Sequence, residues 1–113
     1  MPAEMDLEGV RAFAVNTAKR FGYTLNGDEE FLRRILEGLL INFKRYGYFQ
    51  CPCRDSWGNR EKDRDILCPC AYCAPDVAEF GQCFCGLFLS DEFARSGKTP
   101  VSIPERRPDE LFP

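Results

Sequence analysis

Seven cysteines are the side chains of this sequence best suited to chemistry, and six of them form three pairs with one residue between the two members. The pairs lie in QCPCR at 50–54, LCPCAYC at 67–73 and QCFCG at 82–86, and the chain contains no histidine. Thiols can form structural disulfides, ligate a metal or an iron–sulfur cluster, or exchange with another disulfide. Each of these chemistries predicts a different kind of protein.

Structural disulfides are the least favoured of the three. The cysteine count is odd, and MPAEMDLEGV at the start has neither the basic beginning nor the apolar core of a secretory signal. No apolar run approaches the length of a membrane span. We therefore expect a cytoplasmic protein, in which thiols stay reduced and permanent disulfides are rare.

The spacing within the pairs bears on the choice of metal. Structural zinc sites take cysteines separated by two to four residues, and only Cys70 and Cys73 have that spacing. The two sulfurs of a C-x-C pair tend to diverge, and a proline between them fixes one backbone angle. One cysteine can then face a buried site while the other points elsewhere. A [4Fe–4S] cluster with an adjacent dithiol and a structural zinc site both remain compatible with these residues.

The overall composition excludes other functions. With 44% hydrophobic and 29% charged residues and a net charge of −3, the 113-residue chain reads as one globular domain. No region carries the excess of Lys and Arg that a nucleic-acid-binding face needs. A nucleic-acid-binding zinc domain is therefore disfavoured.

Two helices are predicted N-terminal to the cysteines, where they can position the cysteine-containing segments. The first spans about residues 6–20, with Asp6 as N-cap and Gly22 as its stop. Its apolar positions are Leu7, Val10, Ala14, Ala18 and Phe21. The second starts after Asp28 and ends at Gly47. Its broad apolar face consists of Phe31, Leu32, Ile35, Leu36, Leu39, Leu40 and Phe43.

The rest of the chain predicts little regular structure. GYTLNG is expected to turn between the two helices, and DSWGNREKDRD to form a solvated loop or a short surface helix. APDVAEF can form one or two helical turns with Pro75 at an early position. Residues 97–113 include four prolines and are expected to lie extended over the domain surface.

The ordered set of three pairs resembles the catalytic (beta) chain family of ferredoxin–thioredoxin reductase. That family has C-P-C, C-P-C and C-H-C, the last followed by an apolar stretch similar to GLFLS here. The resemblance covers about residues 5–108 and extends more weakly to RYGYFQCPCR and IPERRP. It implies an all-α fold, in which a single domain over 1–113 wraps short helices and loops around an iron–sulfur cluster.

The resemblance also implies a role for each paired cysteine. The ligands of a [4Fe–4S] cluster would be Cys51, Cys68, Cys70 and Cys83. Cys53 and Cys85 would form the redox-active disulfide, with Cys53 attacking the target disulfide and Cys85 resolving the mixed disulfide. Ferredoxin would be the electron donor, a thioredoxin-like protein the acceptor, and a small accessory subunit a possible further partner. The alternative is a non-enzymatic iron–sulfur electron-transfer module or a structural metal-binding module.

The sequence departs from the family pattern in three ways. Phe84 stands at the histidine of C-H-C, where we expect it to pack beside the cluster. The proton route is then open to the residues Tyr72, Asp76 and Glu79, or to water. Cys73 has no counterpart, and it can be a buried bystander, a further ligand or an additional redox thiol. Twelve residues separate Cys70 from Cys83, a longer spacer than the family predicts.

Overall fold

Two long helices dominate the computed structural model, which describes residues 5–113. Helix α1 spans Leu7–Phe21 and helix α2 spans Glu29–Tyr46. Two shorter helices follow, α3 at Cys73–Phe80 and α4 at Asp91–Ser96. Single 3-10 turns lie at Arg64–Ile66 and Asp109–Leu111. The all-α fold class is thus confirmed. None of the helices in residues 5–113 is both long and apolar enough to cross a bilayer.

The ends of α1 and α2 follow from their capping residues, as predicted. The carboxylates of Asp6 and Asp28 each accept a hydrogen bond from a backbone N–H in the first turn of the helix that follows. Gly22 and Gly47 end the helices in the left-handed conformation, with φ of 76° and 86°. Acidic residues in the first turn and basic residues in the last add favourable interactions with the helix dipole.

The two helices bury most of their predicted apolar faces, although Leu7, Leu40 and Phe43 are only partly buried. The fully or nearly buried members are Val10, Ala14, Ala18, Leu32, Ile35, Leu36 and Leu39. Phe21 and Phe31 are instead 50% and 42% exposed. Phe21 is the last residue of α1 and stacks on Tyr23 outside the core. Phe31 lies in the first turn of α2, where its ring covers Gly86 beside the third cysteine pair.

A two-stranded antiparallel ribbon connects the first half of the chain to the third cysteine pair. Strand β1 is Thr24–Leu25, and strand β2 is Phe88–Leu89. Thr24 pairs with Leu89, and Leu25 pairs with Phe88. We predicted only a turn in GYTLNG, because a strand of two residues is too short to show alternation. The ribbon brings the α1–α2 connection next to the segment QCFCG.

Two segments that we predicted to lie on the surface, the polar loop after the first cysteine pair and the proline-rich tail, contribute residues to the interior. Asp63, in the polar loop after the first cysteine pair, is fully buried. It accepts hydrogen bonds from the Tyr48 hydroxyl at 2.6 Å and from the Trp57 backbone N–H at 2.9 Å. In the proline-rich tail, the Arg107 side chain is also buried and donates to Asp65. These charged residues can be buried because each meets a specific polar partner.

Candidate active site

Six of the seven cysteines line one cavity beside the helical core: Cys51, Cys68, Cys70, Cys73, Cys83 and Cys85. The side chains of Arg54, Pro69, Phe84 and Phe88 complete its wall. The seventh cysteine, Cys53, is exposed to solvent, and all seven are free thiols. The fold thus brings together members of all three sequence pairs, together with the unpaired Cys73.

The first two pairs lie side by side because the chain segments that carry them are hydrogen-bonded to each other. The Cys51 N–H donates to the Ile66 carbonyl at 2.8 Å, and the Cys68 N–H donates to the Phe49 carbonyl at 2.7 Å. The Cys68–Pro69 peptide bond is cis. Both pairs are therefore presented to the cavity by one locally paired stretch of backbone.

The third pair is held in a tight turn between α3 and β2. The Cys83 N–H donates to the Phe88 carbonyl at 2.9 Å, and the Phe88 N–H donates to the Cys83 sulfur at 3.3 Å. Gly86 adopts a φ of 75°, a conformation that disfavours side chains. The buried Asn26 side chain, which directly follows β1, donates to the Gly86 carbonyl at 2.9 Å. The α1–α2 connection thereby supports the backbone immediately after Cys85.

Two buried glutamines that were not predicted support the turns that carry cysteines. The Gln50 amide donates to the carbonyls of Cys51 and Arg54, the latter at 2.6 Å. Gln82 donates to the Cys83 carbonyl at 3.3 Å. The available signal was the glutamine that precedes the first cysteine of both QCPCR and QCFCG. Its amide satisfies backbone groups that have no partner within a helix or sheet.

Helix α2 approaches the first cysteine pair closely at a glycine. A Cβ atom added at Gly38 would lie 2.9 Å from the Cβ of Pro52. Pro52 stands between the two cysteines of QCPCR, so this contact sets how close that turn lies to the helix. The residue at position 38 must be small for the first pair to reach its observed place.

Cys85 lies between the interior cavity and the molecular surface. It is only 7% exposed, yet it lines both the cavity and a surface pocket that also contains Cys53. The other residues around that pocket are Phe31, Gln82, Phe84, Gly86, Pro100, Val101 and Ser102. Hydrogen bonding with Cys51 and Cys53, together with burial, raises the pKa of the Cys85 thiol. Of the two cysteines in this surface pocket, Cys53 is accessible and Cys85 is sheltered.

The thiols that line the cavity also differ in their tendency to ionise. A hydrogen bond from Cys70 holds the pKa of Cys51 well below its ordinary value, with help from the nearby Arg54 charge. A hydrogen bond from Cys73 lowers the pKa of Cys83 in the same way. Burial raises the pKa of Cys68, which has no such donor. Thiolate, the form that ligates metals, is thus most favoured at the first cysteines of the first and third pairs.

One cation lies among the thiols, and it was not predicted. The Arg54 guanidinium donates to the sulfur of Cys70 at 3.2 Å and approaches that of Cys51 at 3.6 Å. Its other nitrogens bind the Glu105 carboxylate at 2.8–3.2 Å. The guanidinium carbon also lies 4.4 Å from the centre of the Phe84 ring. Phe84 therefore packs against a charged group at the wall of the cavity.

The residues proposed for a proton route bind other side chains, although one buried carboxylate oxygen of Asp76 has no hydrogen-bond partner among the described residues. The Tyr72 hydroxyl donates to Asp65 at 2.7 Å, which together with burial raises the pKa of Tyr72 to about 12. The carboxylates of Asp76 and Glu79 both bind Arg106, at 2.8 and 2.5 Å. None of these three candidate side chains belongs to the wall of the pocket that contains Cys53 and Cys85.

The donor set can be compared with what an iron–sulfur cluster requires. Among residues 5–113, no group of three or more His, Cys, Asp or Glu residues is arranged to hold a single metal ion. A [4Fe–4S] cluster binds four thiolates at separate iron atoms and can collect them from different loops. Six thiols around one cavity, in a chain without histidine, fit that requirement.

Comparisons with known proteins identify relatives of this chain. A family model described as "Ferredoxin thioredoxin reductase catalytic beta chain" matches residues 2–106, which include all seven cysteines. The ferredoxin-thioredoxin reductase catalytic chain of Porphyra purpurea is 32% identical over 92 residues, 77% of this chain and 72% of that protein. The catalytic chain from Pyropia yezoensis is 33% identical over 96 residues, 79% and 77% of the two chains. This chain therefore belongs to the ferredoxin–thioredoxin reductase catalytic chain family, a family of oxidoreductases.

Proposed function

We propose that the protein is an iron–sulfur disulfide reductase that accepts electrons from ferredoxin and reduces a disulfide of thioredoxin or a similar small redox protein. The observation that supports this most strongly is the position of Cys85, which lines both the thiol cavity and the surface pocket of Cys53. A dithiol placed in this way is in contact with the interior cofactor site on one side and with an incoming protein on the other. The names of the relatives supply ferredoxin and thioredoxin as the two partners.

The cofactor that we propose is a [4Fe–4S] cluster, and its ligands would be Cys51, Cys68, Cys70 and Cys83. Support comes from the cavity that these four cysteines share, where a cluster could collect thiolates from three separate segments of the chain. When bound, the cluster would supply one-electron redox chemistry next to Cys85. The apolar side chain of Phe88, also on the cavity wall, would help to exclude water from it.

The two remaining paired cysteines would exchange with the target disulfide. The exposed Cys53, as thiolate, attacks one sulfur of the target, which forms a mixed disulfide and releases the other target sulfur as a thiolate. Cys85, as thiolate, then attacks the Cys53 sulfur, which forms the Cys53–Cys85 disulfide and releases the reduced target. The target gains two electrons and two protons, and the enzyme pair loses the same number. Two electrons from ferredoxin, delivered singly, restore the dithiol.

We propose that solvent supplies the protons for this exchange. Cys53 is exposed, so water reaches the thiol directly. Phe84 cannot transfer a proton, and Tyr72, Asp76 and Glu79 are bound to other side chains. Water is therefore the proton carrier that requires no rearrangement of the site.

We also propose an accessory subunit and a reducing compartment for this protein. The relatives are named catalytic chains, which suggests that a small accessory subunit assists this chain as well. A reducing compartment such as the cytoplasm suits a protein with seven free thiols, because oxidation would couple thiols that are adjacent in the cavity.

Two cysteine variants test the proposal in anaerobically purified protein. The unmodified protein should contain about four iron and four sulfide ions per chain, as a [4Fe–4S] cluster requires. Cys53→Ser should keep that iron but lose all reduction of thioredoxin, because the attacking thiol is gone. Cys68→Ser should lose most of the iron. Iron content is measured by a colorimetric assay. Turnover is measured as the reduction of thioredoxin with reduced ferredoxin as the electron donor.

The outcomes separate this function from its alternatives. A colourless protein that contains zinc would refute the cofactor, and equal iron loss in both variants would refute the division of roles. Differential alkylation and peptide mapping before and after oxidation should find the Cys53–Cys85 disulfide. If that disulfide never forms, the protein is a non-enzymatic electron-transfer or structural module.

A further inference from the structure

Arg54 places a buried positive charge directly among the cysteine sulfurs. Its side chain is only 2% exposed, and one terminal nitrogen lies 3.2 Å from the Cys70 sulfur and 3.6 Å from the Cys51 sulfur. Both cysteines are among the four proposed cluster ligands. Burying a guanidinium is costly unless it is fully paired, so this arrangement requires an interaction that compensates for the cost.

The guanidinium is held in place from three sides. The Glu105 carboxylate binds it through two nitrogens, in the fork geometry that orients an arginine most strongly. The rings of Phe84 and Tyr72 lie 4.4 and 5.1 Å from its central carbon, within the range of cation–π contact. With these contacts in place, only the nitrogen that faces the sulfurs remains for the cofactor site.

We propose that Arg54 is a positioning residue that raises the reduction potential of the iron–sulfur cluster by donating a hydrogen bond to ligand sulfur and by placing its charge there. This inference rests on the proposed cofactor. Hydrogen bonds to cluster sulfurs and the local net charge are among the factors that set such potentials. A reduced cluster carries one more negative charge, so a fixed cation beside its ligands stabilises the reduced form more than the oxidised form.

The chemistry of arginine excludes a second role in proton transfer. A guanidinium stays protonated in proteins and has no acceptor, so Arg54 cannot replace the histidine that is absent at position 84. Arg54 and Phe84 are in direct contact, and the aromatic ring holds the cation near the sulfurs. The phenylalanine thus has a physical use at this position that histidine, when protonated, would not have.

The test is the midpoint potential of the cluster, measured by anaerobic redox titration of the intact iron-loaded protein. Arg54→Gln should shift the potential to a more negative value, by about a tenfold change in the one-electron reduction equilibrium, or about 59 mV. Arg54→Lys keeps the charge but loses the fork, and it should shift the potential in the same direction by less. Should Arg54→Gln fail to retain iron, the lysine variant supplies the measurement.

Arg106→Gln is the matched control, because it removes a neighbouring guanidinium of the tail that binds Asp76 and Glu79 and no cysteine. Its potential should equal that of the unmodified protein. The inference is overturned if the glutamine variant, or the lysine variant where glutamine loses the cluster, has an unchanged potential, or if Arg106→Gln shifts it equally. An unmodified protein without iron and sulfide would instead refute the proposed function itself.

Discussion

At the residue scale, the difference in exposure among the cysteines is the main functional feature of the site. Cys53 is exposed, whereas Cys51, Cys73, Cys83 and Cys85 are buried. Thiol exchange with another protein requires an accessible sulfur, so the exposed Cys53 is better placed to begin it than the half-buried Cys68 and Cys70 or the four buried cysteines. The sequence contains the same residue type at all these positions, and burial is what distinguishes them.

Cys73, the cysteine outside the three pairs, is predicted to be dispensable for the cofactor. Cys73 is 3% exposed and contacts Cys83 and Tyr23. Burial and the interaction with Cys73 together raise the pKa of Tyr23 to about 12. Cys73→Ala should retain full iron content and lower the free energy of unfolding by about 1–2 kcal/mol, through loss of buried packing. Iron analysis and anaerobic urea unfolding measure the two effects.

Cys68→Ser serves as the comparison for that experiment, since Cys68 lines the same cavity and is a proposed ligand. If Cys73→Ala loses as much iron as Cys68→Ser, Cys73 is a ligand, and the four-residue assignment has to change.

At the element scale, the two long helices α1 and α2 were predictable and the strands were not. Asp6, Gly22, Asp28 and Gly47 mark the bounds of α1 and α2 because capping depends on local backbone chemistry. The ribbon of β1 and β2 forms between residues more than sixty positions apart, and neither strand has a sequence period of its own. Short α4 was also missed, although Ser90 caps it, because six residues show little periodicity.

The contact between α2 and the first cysteine pair gives a prediction at this scale. Gly38→Ala should lower the free energy of unfolding by about 1–2 kcal/mol, because the new methyl group would meet Pro52 at 2.9 Å. In an open helix position the same change would stabilise by about 1 kcal/mol. Displacement of the QCPCR turn should also reduce iron content. Urea unfolding and iron analysis provide the measurements.

Gly27→Ala is the matched control, since a Cβ atom at that position meets nothing within 4 Å. Its stability should change by less than about 0.5 kcal/mol, or increase slightly. A stabilised Gly38→Ala variant with full iron content would show that the turn adapts freely and that the close contact is unimportant.

At the scale of the whole molecule, three consecutive charged residues anchor the C-terminal tail to the rest of the domain. Glu105 binds Arg54, Arg106 binds Asp76 and Glu79, and Arg107 binds Asp65. These pairs link the tail to the first cysteine turn, to helix α3 and to the 3-10 turn before the second pair. A tail expected to lie over the surface is therefore partly integrated into the interior.

The pair of Arg107 and Asp65 predicts a pH-dependent contribution to stability. Burial alone would raise the pKa of Asp65, but hydrogen bonds from Arg107 and Tyr72 lower it below the ordinary value. A lowered folded-state pKa stabilises the protein above the unfolded carboxylate pKa, near 4, and that contribution is lost as the pH falls further. Arg107→Gln should lower the free energy of unfolding by about 3 kcal/mol at neutral pH, since it leaves a partly buried carboxylate unpaired.

The difference between Arg107→Gln and the unmodified protein should shrink as the pH falls, because burial without Arg107 makes the variant protonate Asp65 at a higher pH. It should vanish only below the lowered pKa of Asp65 in the unmodified protein, under the ordinary carboxylate value near 4. Chemical unfolding across a pH series measures it. Arg64→Gln is the control, because Arg64 forms an exposed pair with Glu61 and should change stability by at most about 1 kcal/mol. A difference that stays constant with pH would assign the effect to lost packing and not to the ion pair.

The sequence by itself determined the two long helices, through their caps and apolar periodicity, and the family, through the order of the three cysteine pairs. The all-α class followed from the resemblance to that family. The tertiary structure decided how the cysteines differ and what surrounds them. Arg54 meets Glu105 across fifty-one positions, and Asn26 supports Gly86 across sixty. Such partners are set by which segments the fold packs together, and charge or polarity along the chain does not specify them. For that reason the site's thiols could be predicted, but the cation among them could not.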